Sequence, residues 1–211
     1  MDSALIALLL YAAYLATAFG LRTWQHRRRT GSSGFHGLPG PVWSLAWWGG
    51  VLFVLAAFAG LAAPVLQLLD VLDPVAVLDG SIGQIAGAAL ALLGMIATLA
   101  AQHAMGNSWR IGVDPTETTT LVRSGVFRYV RNPIFTAMLT AVLGLVLLAP
   151  NAAAVIALVA LVTAIELQVR LVEEPYLQQT HGAAYRDYAT KVGRFLPGIG
   201  RATRQVSRRS A

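Results

Sequence analysis

Residues 134–169 read IFTAMLTAVLGLVLLAPNAAAVIALVALVTAIELQV, and this stretch decides the fold. It contains a single charged residue, Glu166, and is divided in two by Pro150-Asn151. As α-helices rising about 1.5 Å per residue, the two halves approach the roughly 30 Å thickness of a membrane core. The pattern therefore predicts two membrane helices joined in a tight, tilted hairpin.

Three more apolar stretches precede the hairpin, so the chain has five in all. They cover residues 3–21, 44–69, 82–104, 134–149 and 152–169. If the chain crosses at each of them, every Lys and Arg lies on one side, and the other side carries only acidic residues. The positive-inside rule then predicts five transmembrane helices in the cell inner membrane, with the N-terminus outside and the C-terminus in the cytoplasm.

The same pattern divides the chain into three parts. Residues 1–104 hold three transmembrane helices and the basic cytoplasmic loop 22–43. Residues 105–197 hold a long loop, the hairpin and a cytoplasmic helix from Pro175 to Pro197, and residues 198–211 form a basic tail predicted to be disordered. The first apolar stretch is interpreted as a retained helix rather than a signal peptide, because its positive charges follow it.

Composition excludes several functions. The net charge of +6 borders membrane spans, which indicates contact with anionic membrane lipid rather than with nucleic acid. The chain has no cysteine and only four histidines, so we expect no disulfide and no metal site. In the third stretch Gly83, Gly87, Ala91 and Gly94 indicate close helix packing, either inside the bundle, which we favour, or at a homodimer seam.

The sequence Arg131-Asn132-Pro133 precedes the fourth apolar stretch and predicts a helix opening. Asn is a favoured N-cap and Pro a favoured first helical residue. Free backbone N–H groups at such an end attract anions, and Arg131 can bind a carboxylate with two hydrogen bonds. An anion site and simple capping both remain open at this point.

The fifth stretch becomes charged at its cytoplasmic end. Glu166, Arg170 and either Glu173 or Glu174 follow helical spacing and can form a charged stripe along one face, since the two adjacent glutamates point to different sides of the helix. The stripe is either a functional site or a solvated ladder of ion pairs. Three polar candidates close the third stretch, namely Gln102, His103 and Asn107. In the cytoplasmic helix Tyr185 and Tyr188 share a face, and Gly182 permits a close approach of the backbone to a ligand.

In order, the segments GNSWRIGV, SGVFRYVRNPIF, RLVEEPYL and HGAAYRDYATKVGRFLP resemble the isoprenylcysteine carboxyl methyltransferase family in its broad sense. That group includes bacterial integral-membrane methyltransferases and is similar to the phospholipid methyltransferases. The resemblance covers about residues 103–197. It implies an all-α membrane fold with a cytoplasmic region that binds S-adenosylmethionine, and a lipophilic small-molecule or lipidated acceptor.

The resemblance also implies which residues form the cofactor pocket. Arg131, Asn132, Pro133 and Phe135 would make one wall, and Glu173 and Glu174 another. Tyr185 and Tyr188 would cover the cofactor, and Gln102 and His103 are the polar residues that we add from the end of the third helix. Two positions depart from the family pattern, since Asn132 replaces a common His and Phe135 a common Tyr.

Methyl transfer from a sulfonium requires mainly alignment and exclusion of water. We predict Arg170 to position a carboxylate acceptor, whereas Glu166 or Glu174 would serve as the base for an amine acceptor. Two other functions remain open. One is an NADPH-dependent membrane reductase, since sterol reductases have a similar C-terminal region, and the other is a non-catalytic membrane scaffold.

Overall fold

The structure is a computed structural model that describes residues 2–35, 37–106, 109 and 120–203. This part of the chain is helical and contains no β-strand. The long helices are α1 (Ser3–Thr30), α2 (Leu45–Leu68), α3 (Ser81–Met105), α4 (Pro133–Leu148), α5 (Ala152–Gln168) and α6 (Glu174–Lys191). A π-helical turn, Val169–Glu173, joins α5 and α6 into a continuous helix of 40 residues.

Among the described residues, four helices are long and apolar enough to cross a membrane: α1, α2, α3 and the joined α5–α6. Helix α4 is equally apolar but has 16 residues, which correspond to about 24 Å. The bounds of α2, α3 and α4 each differ from the predicted stretches by one residue. The chain is thus an all-helical integral membrane protein, as predicted, while the number of crossings stays a prediction.

Helix α1 is longer than the predicted first stretch. Residues Arg22–Thr30, predicted as the start of a loop, continue the helix and end at Gly31, which has a left-handed φ of 80°. Arg27, Arg28 and Arg29 occupy the last turn, where cations interact favourably with the helix dipole. The actual loop therefore begins only at Gly31.

Helices α3 and α4 pack closely because small residues face each other. A Cβ atom added to Gly94 would lie 2.3 Å from the Ala141 nitrogen, and one added to Gly144 would lie 2.3 Å from the Ala91 nitrogen. Gly87 faces the Gly144 carbonyl in the same way. The small-residue pattern of α3 is therefore used for packing inside the bundle, the interpretation that the sequence favoured.

The predicted hairpin has a tight turn, but its two helices pack less against each other than against other helices. Helix α4 packs chiefly along α3, and α5 chiefly along α2. The turn is fixed by Asn151, which is fully buried. Its Oδ1 accepts from the Ala154 N–H (3.0 Å), and its Nδ2 donates to the Ala63 carbonyl (2.9 Å) and to Gln67 Oε1 (3.0 Å).

Replacement of Asn151 by Ala is expected to lower the free energy of unfolding by about 3 kcal/mol, because it removes a helix cap and two hydrogen bonds to α2. Asn151→Ser should lower the free energy of unfolding by less, because the Ser hydroxyl can still accept from the Ala154 N–H. Only the two hydrogen bonds donated by Nδ2 are lost. Equilibrium unfolding in mixed detergent micelles measures both values. Equal stability of the two variants would show that the cap on the Ala154 N–H contributes nothing.

The chain returns to α4 after α6. Helix α6 is kinked at Gly182 (φ 51°) and ends at Lys191, so the single helix predicted from Pro175 to Pro197 is wrong at both points. Residues 193–194 instead lie beside 130–132: the N–H groups of Arg131 and Asn132 donate to the carbonyls of Gly193 (2.8 Å) and Arg194 (3.0 Å). Gly193 is required here, because an added Cβ would meet the Leu196 carbonyl at 2.0 Å.

The predicted disordered tail begins with residues that hydrogen-bond to this region. The Ala202 N–H donates to the Ala189 carbonyl (2.9 Å), and Ile199 and Gly200 supply acceptors to Arg194 and Arg131. Residues 204–211 lie outside the described residues. So do Asn107, Arg110, Ile111 and Val113, and with them most of the GNSWRIGV motif.

Candidate active site

A cavity of about 370 Å³ opens where the ends of α1, α2, α3 and α4 meet α6. This volume lies within the range of about 300–1,000 Å³ that is usual for small-molecule sites. One side of the cavity is polar and comes from α3, α4 and α6. The other side is apolar and is formed by α1, α2 and the loop between them, including Phe19, Phe35, Leu38, Pro39, Phe53 and Val54.

Most of the predicted site residues meet at this cavity, although they come from three separate helices. The lining includes Gln102, Arg131, Asn132, Pro133, Phe135, Glu173, Glu174, Tyr185 and Tyr188. The grouping of these side chains follows from the fold, because α4 begins and α6 lies at the same end of the bundle as the end of α3.

Three predicted residues do not line the cavity: His103, Glu166 and Arg170. His103 is exposed, and its Nδ1 lies 3.1 Å from the Leu99 carbonyl. Glu166 and Arg170 form an ion pair with each other, and their side chains are 38% and 55% exposed. The predicted stripe does not extend to Glu174. The π-helical turn Val169–Glu173 adds one residue to the local helical repeat, and Glu174 binds Arg131 and Arg194 instead of this pair.

Glu174 instead forms a compact charged group with Arg131 and Arg194, which we call the Glu174 cluster. Its Oε1 accepts from Arg131 Nη2 (2.7 Å) and from Arg194 Nε (2.8 Å), and its Oε2 accepts from Arg194 Nη2 (2.9 Å). The hydrogen bonds to Glu174 raise the pKa of Arg194 above its already high ordinary value. The cluster thus joins α4, α6 and the returning segment by charge-assisted hydrogen bonds.

Arg131 is the centre of this region, and its side chain is only 3% exposed. Nη1 donates to the carbonyls of Ala189 (3.0 Å) and Val192 (2.6 Å), and Nη2 also reaches the Gly200 carbonyl (3.2 Å). Its Nε is buried and has no partner among the described residues. Both terminal nitrogens are therefore occupied by the protein, which leaves Nε as the donor not yet used.

The start of α4 at Pro133 confirms the predicted helix opening, but Asn132 does not cap it. The Asn132 Nδ2 donates to the Arg194 carbonyl (3.2 Å), and no side chain caps the helix. Pro133, Ile134 and Phe135 all line the cavity. The first turn of α4 is thus uncapped and lies at the cavity, and uncapped helix starts are sites where anions bind.

Tyr185 and Tyr188 are buried and lie edge to face, with ring centroids 6.3 Å apart. The Tyr188 hydroxyl donates to the Phe127 carbonyl (2.5 Å), which fixes the loop before α4 to α6. Gly182, predicted to allow close approach of a ligand, serves instead to kink α6 before these residues.

Sequence reasoning missed the contribution of the first two helices. The loop after α1 covers the apolar side of the cavity, and Leu38 packs onto Gly50, where an added Cβ would lie 2.8 Å from Leu38 Cδ2. Arg194 was also missed as a site residue. The only signals for these residues were the Gly/Pro-rich composition of the loop and the position of Arg194 in the GRFLP segment.

Comparison with known proteins gives one family match. The family model for phospholipid methyltransferase matches residues 82–184, just under half of the chain, from the start of α3 into α6. No curated protein and no solved structure matches. Residues 82–184 contain most of the predicted residues that line the cavity, including the paired Arg131 and Glu174, whereas Tyr185 and Tyr188 lie just beyond them. This region of the chain is thus similar to the phospholipid methyltransferase family, within the broad group of membrane methyltransferases that the sequence resembles.

Proposed function

We propose that the protein is an integral-membrane methyltransferase that uses S-adenosylmethionine and acts on a lipophilic acceptor, either an isoprenylcysteine-type carboxylate or a lipid headgroup. The observation that carries the proposal is the meeting of the predicted pocket residues at one cavity, since all of them except Tyr185 and Tyr188 lie inside the region matched by the family. S-adenosylmethionine, when bound, supplies an electrophilic methyl group on a sulfonium.

The described residues fit that cofactor. The uncapped first turn of α4 and the unpaired Arg131 Nε suit a carboxylate. Glu173 lines the cavity and suits a cationic group, and the buried Tyr185 and Tyr188 suit a stacked or apolar part of the ligand. These side chains bind and orient the ligand.

Glu174 and Arg131 position the pocket rather than react. Their terminal atoms already hold the returning segment, so neither group can bind substrate through them without breaking buried ion pairs. Glu166 and Arg170 do not line the cavity and lie outside the proposed site. The proposal therefore assigns no residue as a general base for the acceptor. A carboxylate acceptor needs none, whereas an amine acceptor would need one.

The apolar side of the cavity suits the hydrocarbon part of the acceptor. Its aromatic and aliphatic residues exclude water from the site, which favours methyl transfer over hydrolysis. We further propose five crossings of the cell inner membrane, with the N-terminus outside and the cavity facing the cytoplasm. Support comes from the one-sided basic residues and from the apolar helix α4.

Titration calorimetry of the detergent-purified protein tests the proposal. We expect binding of S-adenosylmethionine and of its demethylated product, and no binding of NADPH. Glu173→Gln should weaken the binding of S-adenosylmethionine and of its demethylated product by about tenfold each, because it removes a charged partner of the ligand's ammonium group. Glu166→Gln, on the same continuous helix but outside the cavity, is the matched control and should bind as the native protein does.

Two results would overturn the proposal. Binding of NADPH alone would indicate a membrane reductase. Binding of none of these ligands by protein with native helical content would indicate a non-catalytic scaffold.

A further inference from the structure

Gln102 carries an unusual feature on the polar side of the cavity. It is 2% exposed, and its side-chain oxygen Oε1 is buried without a hydrogen-bond partner among the described residues. An unpaired buried acceptor costs about 1–3 kcal/mol unless something else supplies a donor. Since Gln102 lines the cavity, the donor that it lacks can come from a ligand.

The orientation of this side chain is fixed by α1. The Gln102 Nε2 donates to the Ala18 carbonyl at 3.0 Å. In the opposite orientation of the amide, Oε1 would face the carbonyl oxygen of Ala18, and neither atom can donate a hydrogen bond. Nε2 therefore faces Ala18, and Oε1 occupies the other position of the amide. Ala18 lies in the π-helical turn Ala16–Leu21 of α1, and such turns are frequent at functional sites.

Arg22, one turn further along α1, holds the same end of α3. It is buried, and its Nη2 donates to the carbonyls of Gln102 (3.1 Å) and Gly106 (2.9 Å). Its guanidinium also lies 5.0 Å from the centre of the Trp109 ring, another residue that lines the cavity. A cation at the C-terminal end of a helix is favourable, and here it also fixes the main chain of Gln102.

We propose that α1, which lies outside the region matched by the family, completes the ligand site. Its Ala18 carbonyl and Arg22 hold Gln102 so that Oε1 accepts a hydrogen bond from an N–H or O–H group of the bound ligand. Arg22 is a positioning residue, and Gln102 is the binding residue. This inference rests on the proposed function, and for S-adenosylmethionine the donor is either the ammonium group or a group of the adenosine part.

The test is titration of the detergent-purified full chain with S-adenosylmethionine and with 5′-methylthioadenosine, which lacks the amino-acid part. Gln102→Met keeps the size of the side chain and removes the acceptor, so it should weaken S-adenosylmethionine binding by about tenfold. A matching loss for 5′-methylthioadenosine places the donor on the adenosine part, and a loss confined to S-adenosylmethionine places it on the ammonium group. His103→Met, the neighbouring position outside the cavity, is the control and should bind normally.

A double-mutant cycle tests the positioning role. Arg22→Lys keeps the charge but loses the fixed guanidinium. As a single substitution it should weaken binding of S-adenosylmethionine, but in a chain that already carries Gln102→Met it should have little further effect. A purely structural role of Arg22 would give additive losses and would overturn that part of the proposal.

The outcomes separate the inference from the proposed function. No binding by the native chain defeats the proposed function. Native affinity in folded Gln102→Met overturns the inference alone. If Gln102→Met does not fold, Gln102→Asn withdraws the oxygen by one methylene, and unchanged affinity in that variant overturns the inference in the same way.

Discussion

Replacement of Gly94 by Ala is expected to destabilise the protein by about 3 kcal/mol, the upper end of the range for overpacked interiors. A Cβ at this position would lie 2.3 Å from the nitrogen of Ala141, 2.6 Å from its Cα and 2.7 Å from the carbonyl of Ala137. All three are main-chain atoms, so no side-chain rotation relieves the contact. Helices α3 and α4 would have to separate, and both contribute to the polar side of the cavity.

Gly20→Ala is the matched control, because nothing lies within 4 Å of an added Cβ there. It should be neutral or stabilising, since alanine loses less backbone entropy than glycine in a helix. Thermal unfolding followed by circular dichroism in detergent measures both variants. Similar midpoints for the two would show that α3 and α4 are not in direct contact, and a change of oligomeric state without unfolding would restore the dimer interpretation of the small-residue pattern.

The bounds of the apolar helices could be predicted from sequence because one energetic effect dominates them. Burying a charged residue in the membrane core is so costly that the apolar stretches 44–69, 82–104 and 134–149 correspond to α2, α3 and α4 within a residue. The same reasoning failed at the end of α1. Hydropathy reports where a helix leaves the membrane, whereas Gly31 and the helix-forming residues before it determine where the helix ends.

The polar residues of the cavity could be found from short motifs, but their partners could not. Arg131 looked free to bind a carboxylate from solution. In the structure it binds Glu174 and three carbonyls of residues 189–200, contacts that depend on the return of the chain after α6. Contacts between segments distant in sequence leave no local pattern.

Arg22 shows the same limit. In the sequence it is one of several arginines after an apolar stretch, and the expected role of each is contact with lipid headgroups. Arg27, Arg28 and Arg29 are indeed exposed, whereas Arg22 is buried against the end of α3. The difference depends on the helical phase set by the π-helical turn, which the sequence does not reveal.

Glu174→Ala is expected to lower the free energy of unfolding by about 3–5 kcal/mol and to abolish binding of S-adenosylmethionine, because it leaves the buried guanidinium of Arg131 without a carboxylate. The Arg131 side chain is 3% exposed and the Glu174 side chain 20%. The returning segment would lose both bonds from Arg194 at the same time. Glu174→Gln keeps the shape of the side chain and one acceptor oxygen. Its free energy of unfolding and its affinity for S-adenosylmethionine should lie between those of Glu174→Ala and of the native protein.

Glu166→Ala supplies the contrast on the same continuous helix, eight residues earlier. Its pair with Arg170 is exposed, and such pairs contribute about 0.2–1 kcal/mol. Equilibrium unfolding of the two variants measures the loss of stability, and calorimetric titration measures the loss of S-adenosylmethionine binding. A large loss of stability in both would mean that the charged residues of α5 and α6 act as one stripe, as the regular helical spacing predicted. A large loss confined to Glu174→Ala would mean that the π-helical turn divides them into a surface pair and a cluster that builds the pocket.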